Sequence, residues 1–580
     1  MKKILSLVLL TAIFFACKKE QGKAVQTEEQ KPATTKLAQS GLGMVAAAQP
    51  LATAAGNSIL EAGGNAADAA VATAFVLAVV EPTMNGIGGR NQILVRKADG
   101  SFMGYNGMTE VPASFVPAEE PPSSGHGTVA TPGVVAALMR LHAEHGSMPL
   151  PTLMQPAIQY AREGFEVLAG EAKRHANALK DIKENPGFRG QMLKSDTIPY
   201  RAGEILKQPD LAKTLERIAA TNGKDFYEGE TAKKIVADMA VNGGFVTEND
   251  LKEYKALDAR YVTTTYRGYE IHSIPAPAGG GLVVKALNIL EQFDLSSMSD
   301  VQWAGVVNQA LAFAMESVVY DYKEEDLAVV QSKAWAREKA SQVHVPESNP
   351  KQEAAYIAPS RQILAANTDW TGATWGADSH HTTHFVTADC SGMVVSITQT
   401  IGPIFGSKVI TPGLGFVYAS TMGAYLSGAD QAPGSRPRTT IAPTVVTKEG
   451  ETVLVLGAAG GLRILSGIVQ TISRVIDQDK TLEEAVAAPR VHPKTSFDDG
   501  KREVFPMRFS AEFTKKNGWA AADSLYWQAQ GFEIDAITRF GAFARVHAVT
   551  KDLETGLWTG MADLDWEGTA DGPEAAMCKD

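Results

Sequence analysis

Cysteine is scarce: the 580-residue chain holds only Cys17, Cys390 and Cys578. So few thiols argue against a disulfide framework and leave a cysteine-based metal site short of ligands. Long apolar runs are missing beyond the N-terminus. The best candidate, residues 69–80, is closed by Glu81-Pro82 and falls well short of the roughly 20 residues that cross a bilayer. It reads as a buried core helix. No basic cluster follows the N-terminal region and the net charge is −11, which disfavours nucleic acid as a partner. What the chain does have is apolar material, 44% of its residues, enough for a large core.

The first residues carry a targeting signature. Lys2 and Lys3 precede a short apolar run, residues 4–16, which ends at Cys17. The cysteine directly after Ala16 resembles the lipobox of bacterial lipoproteins, with Phe14 where leucine is preferred. An ordinary secretory signal is the alternative. The expectation is a lipoprotein-type signal peptide over 1–17, with Cys17 as the lipidation site, followed by a disordered polar tether over 18–40. That places the protein in a bacterial cell envelope, lipid-anchored to a membrane and facing the periplasm or exterior.

Helical periodicity recurs through the first two thirds of the chain. One helix is expected over 65–80; another has Thr131 as N-cap, Pro132 at the first position and Gly146 past its end. Residues 262–276 look like strand. The stretch 333–381 is polar and irregular, with Pro346, Pro350 and Pro359. Strands dominate afterwards, including a hairpin around Lys448-Glu449-Gly450.

At the border between these regions stands His381-Thr382-Thr383-His384. An alternating run follows, with a Cys390-Ser391-Gly392 turn, and it reads as a β-hairpin that reaches Thr400. A threonine at the start of a strand can act as nucleophile and base together once chain cleavage frees its own amine, whose reference pKa is about 8. Further on, Gly457-Ala458-Ala459-Gly460-Gly461 precedes apolar residues at helical spacing. The Gly460-Gly461 pair thus lies at a strand-to-helix junction, where free N–H groups meet the positive end of a helix and can hold an oxyanion. His380, His381 and His384 have no cysteine or paired carboxylate nearby, so a metal site is not expected.

Several blocks, in order, resemble the gamma-glutamyltranspeptidase family. They include Gly43-Met44-Val45-Ala46-Ala47, Gly63-Gly64-Asn65-Ala66-Ala67-Asp68, Gly86-Ile87-Gly88-Gly89, Phe226-Tyr227-Glu228-Gly229, Tyr266-Arg267-Gly268-Tyr269, Thr382-Thr383-His384, Phe405-Gly406 and Gly460-Gly461. The resemblance implies an α+β fold, the four-layer αββα sandwich of N-terminal-nucleophile hydrolases, built as one large domain from two self-cleaved subunits. Their expected bounds are 41–381 and 382–580, forming a heterodimer. Cleavage would fall between His381 and Thr382. Thr382 would be the nucleophile, Thr400 its orienting partner, and Gly460 and Gly461 the oxyanion donors. No cofactor is implied, and the partner is a small-molecule or peptide amide.

The resemblance weakens at the substrate clamp. The family's Arg-Glu pair, whose arginine grips the glutamyl α-carboxylate, is Thr109-Glu110 here. The family asparagine two residues beyond the second threonine is Gly402, and the stretch that carries the acid for the glutamyl ammonium is Ala419-Ser420-Thr421-Met422-Gly423-Ala424. The paired serines after Arg-Pro become Thr439-Thr440, expected with Thr109 and Glu110 to touch substrate. Arg90 reads as an ordinary packing arginine, although it or Arg436 is a possible replacement cation. The resemblance implies a self-processing hydrolase or acyltransferase cleaving gamma-glutamyl amides such as glutathione. The alternatives are an acylase or amidohydrolase for a different amide, and a non-catalytic envelope binding lipoprotein.

Overall fold

The computed structural model describes residues 35–316, 328–329, 332–348, 381–426, 428–498, 501–513, 518–538 and 541–574. The leader, Cys17, most of the tether and residues 349–380 lie outside them.

Alternation along a strand shows how the layers form. In the strand His381–Asp389, Phe385 packs into one apolar core, while Val386 and Ala388 pack into another. Val45 and Met44 divide the same way, as do Val395 and Val394. Strands that send apolar side chains to both faces must be covered on both. The result is two seven-stranded antiparallel sheets face to face, each with helices on its outer side.

The sheet that contains Thr382 runs from edge to edge as Thr569–Asp571, Gly43–Ala47, His381–Asp389, Val394–Gly402, Arg90–Arg96, Phe102–Gly107 and Leu257–Asp258. The other runs Leu37–Ser40, Trp558–Ala562, Arg545–Lys551, Glu451–Ala459, Thr444–Lys448, Tyr269–Ser273 and Val262–Tyr266. A smaller sheet, Val491–Asp498, Lys501–Glu512 and Glu533–Ile537, packs beside the helix Asp300–Glu316.

Helix Ala66–Val80 lies on the first sheet and is buried along its whole length. Asn65 and Asp68 form the reciprocal cap that starts it. The Ala66 N–H donates to Asp389 Oδ2 at 2.8 Å and Thr387 Oγ1 donates to the Ala66 carbonyl at 2.7 Å, which pins the helix start to the strand that carries Thr382. Helices Gly280–Leu290 and Arg463–Asp477 cover the second sheet.

Four expectations are corrected. The tether does not extend to residue 40, because Leu37–Ser40 is an edge strand paired with Trp558–Ala562. An edge strand needs main-chain bonds more than apolar side chains, and buried Lys36 donates to the carbonyls of Asp563, Trp566 and Gly568. The helix placed after Thr131 spans Val134–His145, since Thr131 exchanges main-chain bonds with Glu110 instead. The polar stretch after residue 333 begins with a helix, Lys333–Ala340, capped by Ser332. The expected strand over 262–276 is a hairpin, with Arg267 and Gly268 both at positive φ, 53° and 82°. Cys390 sits in its expected turn and is disulfide-bonded.

Candidate active site

The hairpin of His381–Asp389 and Val394–Gly402 brings the two expected threonines together. Its register slips between His381 and Thr383, a bulge centred on Thr382. A bulge inserts one unpaired residue and re-aims its side chain. Thr382 Oγ1 donates to Thr400 Oγ1 at 3.3 Å, and Thr400 Oγ1 also accepts the Gly402 N–H at 2.9 Å. Both threonines are almost buried, 5% and 3% exposed.

The second sheet holds this end of the hairpin through an arginine absent from the sequence reading. Arg545 Nη2 donates to the Thr382 carbonyl at 2.7 Å, and its Nη1 donates to Glu81 Oε1 at 2.7 Å. Arg545 lies in register opposite Ala459, the residue before Gly460. The main chain of Thr382 and the glycine turn therefore share one anchor. Gly460 and Gly461 take φ of 133° and 60°, in the left-handed region that favours glycine. Helix Arg463–Asp477 follows directly. Among the described residues neither glycine N–H has a hydrogen-bond acceptor, which leaves both available at a helix N-terminus.

The two threonines expected to touch substrate make different hydrogen bonds within the protein. Thr440 Oγ1 donates to the Gly461 carbonyl at 2.8 Å, so it holds the glycine turn. Thr439 Oγ1 accepts the Ile441 N–H at 3.3 Å. Glu110 is engaged by Arg436, whose Nε and Nη2 donate to Glu110 Oε2 at 3.1 and 3.0 Å. Arg436 also donates to the carbonyls of Asn106 and Lys255 and lies over the Tyr254 ring. Glu110 and Arg436 thus form a structural tie. Thr109 is buried, its Oγ1 3.1 Å from Thr421 Oγ1.

Gly402 replaces an asparagine for a visible reason: its φ is 90° and a Cβ there would lie 2.9 Å from the Ser420 carbonyl oxygen. Ala424 is exposed. The histidine cluster is not assembled. His380 is outside the described residues, as is the His381 side chain, and His384 is fully buried with Nδ1 2.9 Å from Thr398 Oγ1. Burial pushes the His384 pKa down to about 3, so the ring is neutral. Among the described residues no group of three metal-ligating side chains converges.

Facing sheets enclosed by helices, with a threonine at the bulged head of a central strand, define the α+β class of N-terminal-nucleophile hydrolases. Comparison with known proteins narrows this. The sequence model of the gamma-glutamyltranspeptidase family matches residues 52–572. The chain is 32% identical over 485 residues to a glutathione hydrolase proenzyme of Escherichia coli strain K12, covering 78% of this chain and 80% of that one. It is 34% identical over 491 residues to an acylase ACY 1 proenzyme of Pseudomonas sp. strain V22, covering 80% and 84%. A crystal structure of cephalosporin acylase from Bacillus halodurans superposes with a TM-score of 0.78 at 26% identity, covering 97% of this chain and 100% of that one. The chain belongs to the gamma-glutamyltranspeptidase family, and it is an enzyme of the gamma-glutamyltransferase and glutathione hydrolase type.

Proposed function

We propose that this enzyme cuts itself between His381 and Thr382 and then uses the freed Thr382 to cleave amides through an acyl-enzyme. The observation that carries the reading is the Thr382–Thr400 hydroxyl pair, 3.3 Å apart at the bulge. In maturation, Thr382 Oγ attacks the His381 carbonyl carbon, the peptide C–N bond breaks as its nitrogen takes the proton, and water hydrolyses the resulting ester. In turnover the new α-amine takes the Oγ proton as Oγ attacks the substrate carbonyl. The Gly460 and Gly461 N–H groups receive the oxyanion. The departing amine takes the proton, and water or a second amine then releases the acyl group.

Gamma-glutamyl amides such as glutathione are the default substrates, by family. A specific observation favours the acylase reading beside it: the two matched clamp positions are a buried neutral threonine and an exposed alanine, Thr109 and Ala424. A hydroxyl does not replace the two-pronged, charge-assisted grip of a guanidinium. The relatives include both a glutathione hydrolase and an acylase.

The test is maturation itself. Purified wild type should run as two fragments on a denaturing gel, the smaller starting at Thr382 by N-terminal sequencing. Thr382→Ala should give one uncut chain. An uncut wild type, or a fragment that starts elsewhere, removes Thr382 as nucleophile.

A further inference from the structure

Of the two arginines named as replacement cations, Arg90 is the one that faces Thr382 and Thr400. Arg90 opens the strand Arg90–Arg96 and lies in register directly opposite Thr400. Opposed residues on antiparallel strands send their side chains to the same face, with Cβ atoms about 5 Å apart. The guanidinium therefore rises from the face on which Thr400 meets Thr382. Arg90 Nη1 donates to Thr421 Oγ1 at 2.9 Å, and Thr421 Oγ1 is 3.1 Å from Thr109 Oγ1. A Cβ on Gly402 would stand 4.0 Å from Arg90 Nη2, so the glycine leaves that space open.

Among the described residues this cation has no anionic partner. Arg90 Nε is buried without an acceptor. Its pKa falls to about 10 through burial, with the Tyr425 phenol, neutral near neutral pH, as the titratable group beside it, so it is cationic near neutral pH. Arginines buried more fully than half-buried Arg90 are paired: Arg174 with Glu171, Arg490 with Asp563, Arg545 with Glu81. A desolvated guanidinium without an anion is costly in a folded protein. A ligand that brings the anion removes that cost. The nearby acid does not, because Glu110 is engaged by Arg436.

We infer that Arg90 anchors a carboxylate on the acyl half of the substrate, so that the enzyme accepts amides of ω-carboxyacyl groups that lack a neighbouring ammonium. The cation has in effect moved from position 109 to position 90, with Thr421 bridging the two. At position 424, where the family's acid would meet an ammonium, stands an exposed alanine. The inference rests on Thr382 as nucleophile.

The test compares wild type, Arg90→Gln and Arg90→Lys, all as cleaved enzyme, on glutaryl, γ-glutamyl and butyryl p-nitroanilides. Wild type should prefer glutaryl over γ-glutamyl. In Arg90→Gln the ratio of glutaryl to butyryl kcat/KM should fall roughly 10- to 100-fold, the loss of a charge-assisted hydrogen bond, mostly through KM. Arg90→Lys should recover part of it. A ratio unmoved within about twofold, or a wild type that prefers the γ-glutamyl anilide, overturns the role of Arg90 while amide cleavage stands. A wild type that neither cleaves itself at Thr382 nor hydrolyses any of the three overturns the proposed function and this inference with it. Should Arg90→Gln not fold, competitive inhibition of wild type decides. Glutarate binding roughly tenfold tighter than butyrate supports the anchor, and equal inhibition overturns it.

Discussion

His384 follows Thr382 by two residues and is confined more tightly than any sequence pattern suggests. A Cβ on Gly457, in the facing sheet, would lie 2.3 Å from its Cε1. The ring is neutral because burial opposes charge, with Arg545 adding repulsion. Its folded pKa, about 3, lies below the reference 6.5. Between those values the unfolded chain binds a proton that the folded chain refuses, so this contribution is whole above 6.5 and is lost as pH falls toward 3. From about pH 7 to about pH 5 the loss amounts to about 2 kcal/mol. His384→Gln should abolish it. In the uncut Thr382→Ala chain, where unfolding is unimolecular, the stability gap between parent and His384→Gln should narrow by that amount over the interval, by urea unfolding. A gap independent of pH would return the ring to ordinary titration. Thr382 and Thr400 were legible in the sequence because hairpin periodicity and family blocks both mark them. Arg545, the Glu110–Arg436 tie and the placement of Arg90 opposite Thr400 were not, because each depends on strand register or contact between residues hundreds of positions apart.

Among the elements, the glycine turn between the strand Glu451–Ala459 and the helix Arg463–Asp477 carries the proposed oxyanion donors. Its carbonyl at Gly461 is held by Thr440. Thr440→Val removes that bond while keeping the shape, and one neutral hydrogen bond is worth about 1 kcal/mol. The expected result is normal self-cleavage, kcat reduced roughly 3- to 10-fold, KM nearly constant, and recovery in Thr440→Ser. Steady-state kinetics would check it, and a change confined to KM would return Thr440 to substrate contact. Elements with strong local signals could be read directly, as with the helix Ala66–Val80, the turn after Asp389 and the glycines before Arg463. Leu37–Ser40 and Lys333–Ala340 hid in polar composition, because one is held by edge pairing and the other by its cap and by packing against the helix Gly280–Leu290.

At the scale of the whole molecule, the proposed cut divides sequence without dividing structure. Gly43–Ala47 is zipped between His381–Asp389 and Thr569–Asp571, and Arg90–Arg96 pairs with Val394–Gly402. In the other sheet Tyr269–Ser273 pairs with Thr444–Lys448. Cleavage before Thr382 severs none of these ladders. The two fragments should co-elute on size exclusion in native buffer and part only in denaturant. Separation without denaturant would mean that the ladders do not hold the subunits together.

The edge strand at the start of the fold brings the chain's beginning back to its end. Thr35 exchanges bonds with Ala570, its carbonyl accepting the Ala570 N–H at 2.9 Å and its Oγ1 donating to the Ala570 carbonyl at 3.0 Å. The body is thus a ring of sequence in all but one covalent bond. A circular permutant that joins residue 574 to residue 35 through a short linker and opens at Thr382 preserves every ladder described. Translated with a removable initiator methionine, it would present the Thr382 amine from birth, uncoupling catalysis from autoproteolysis.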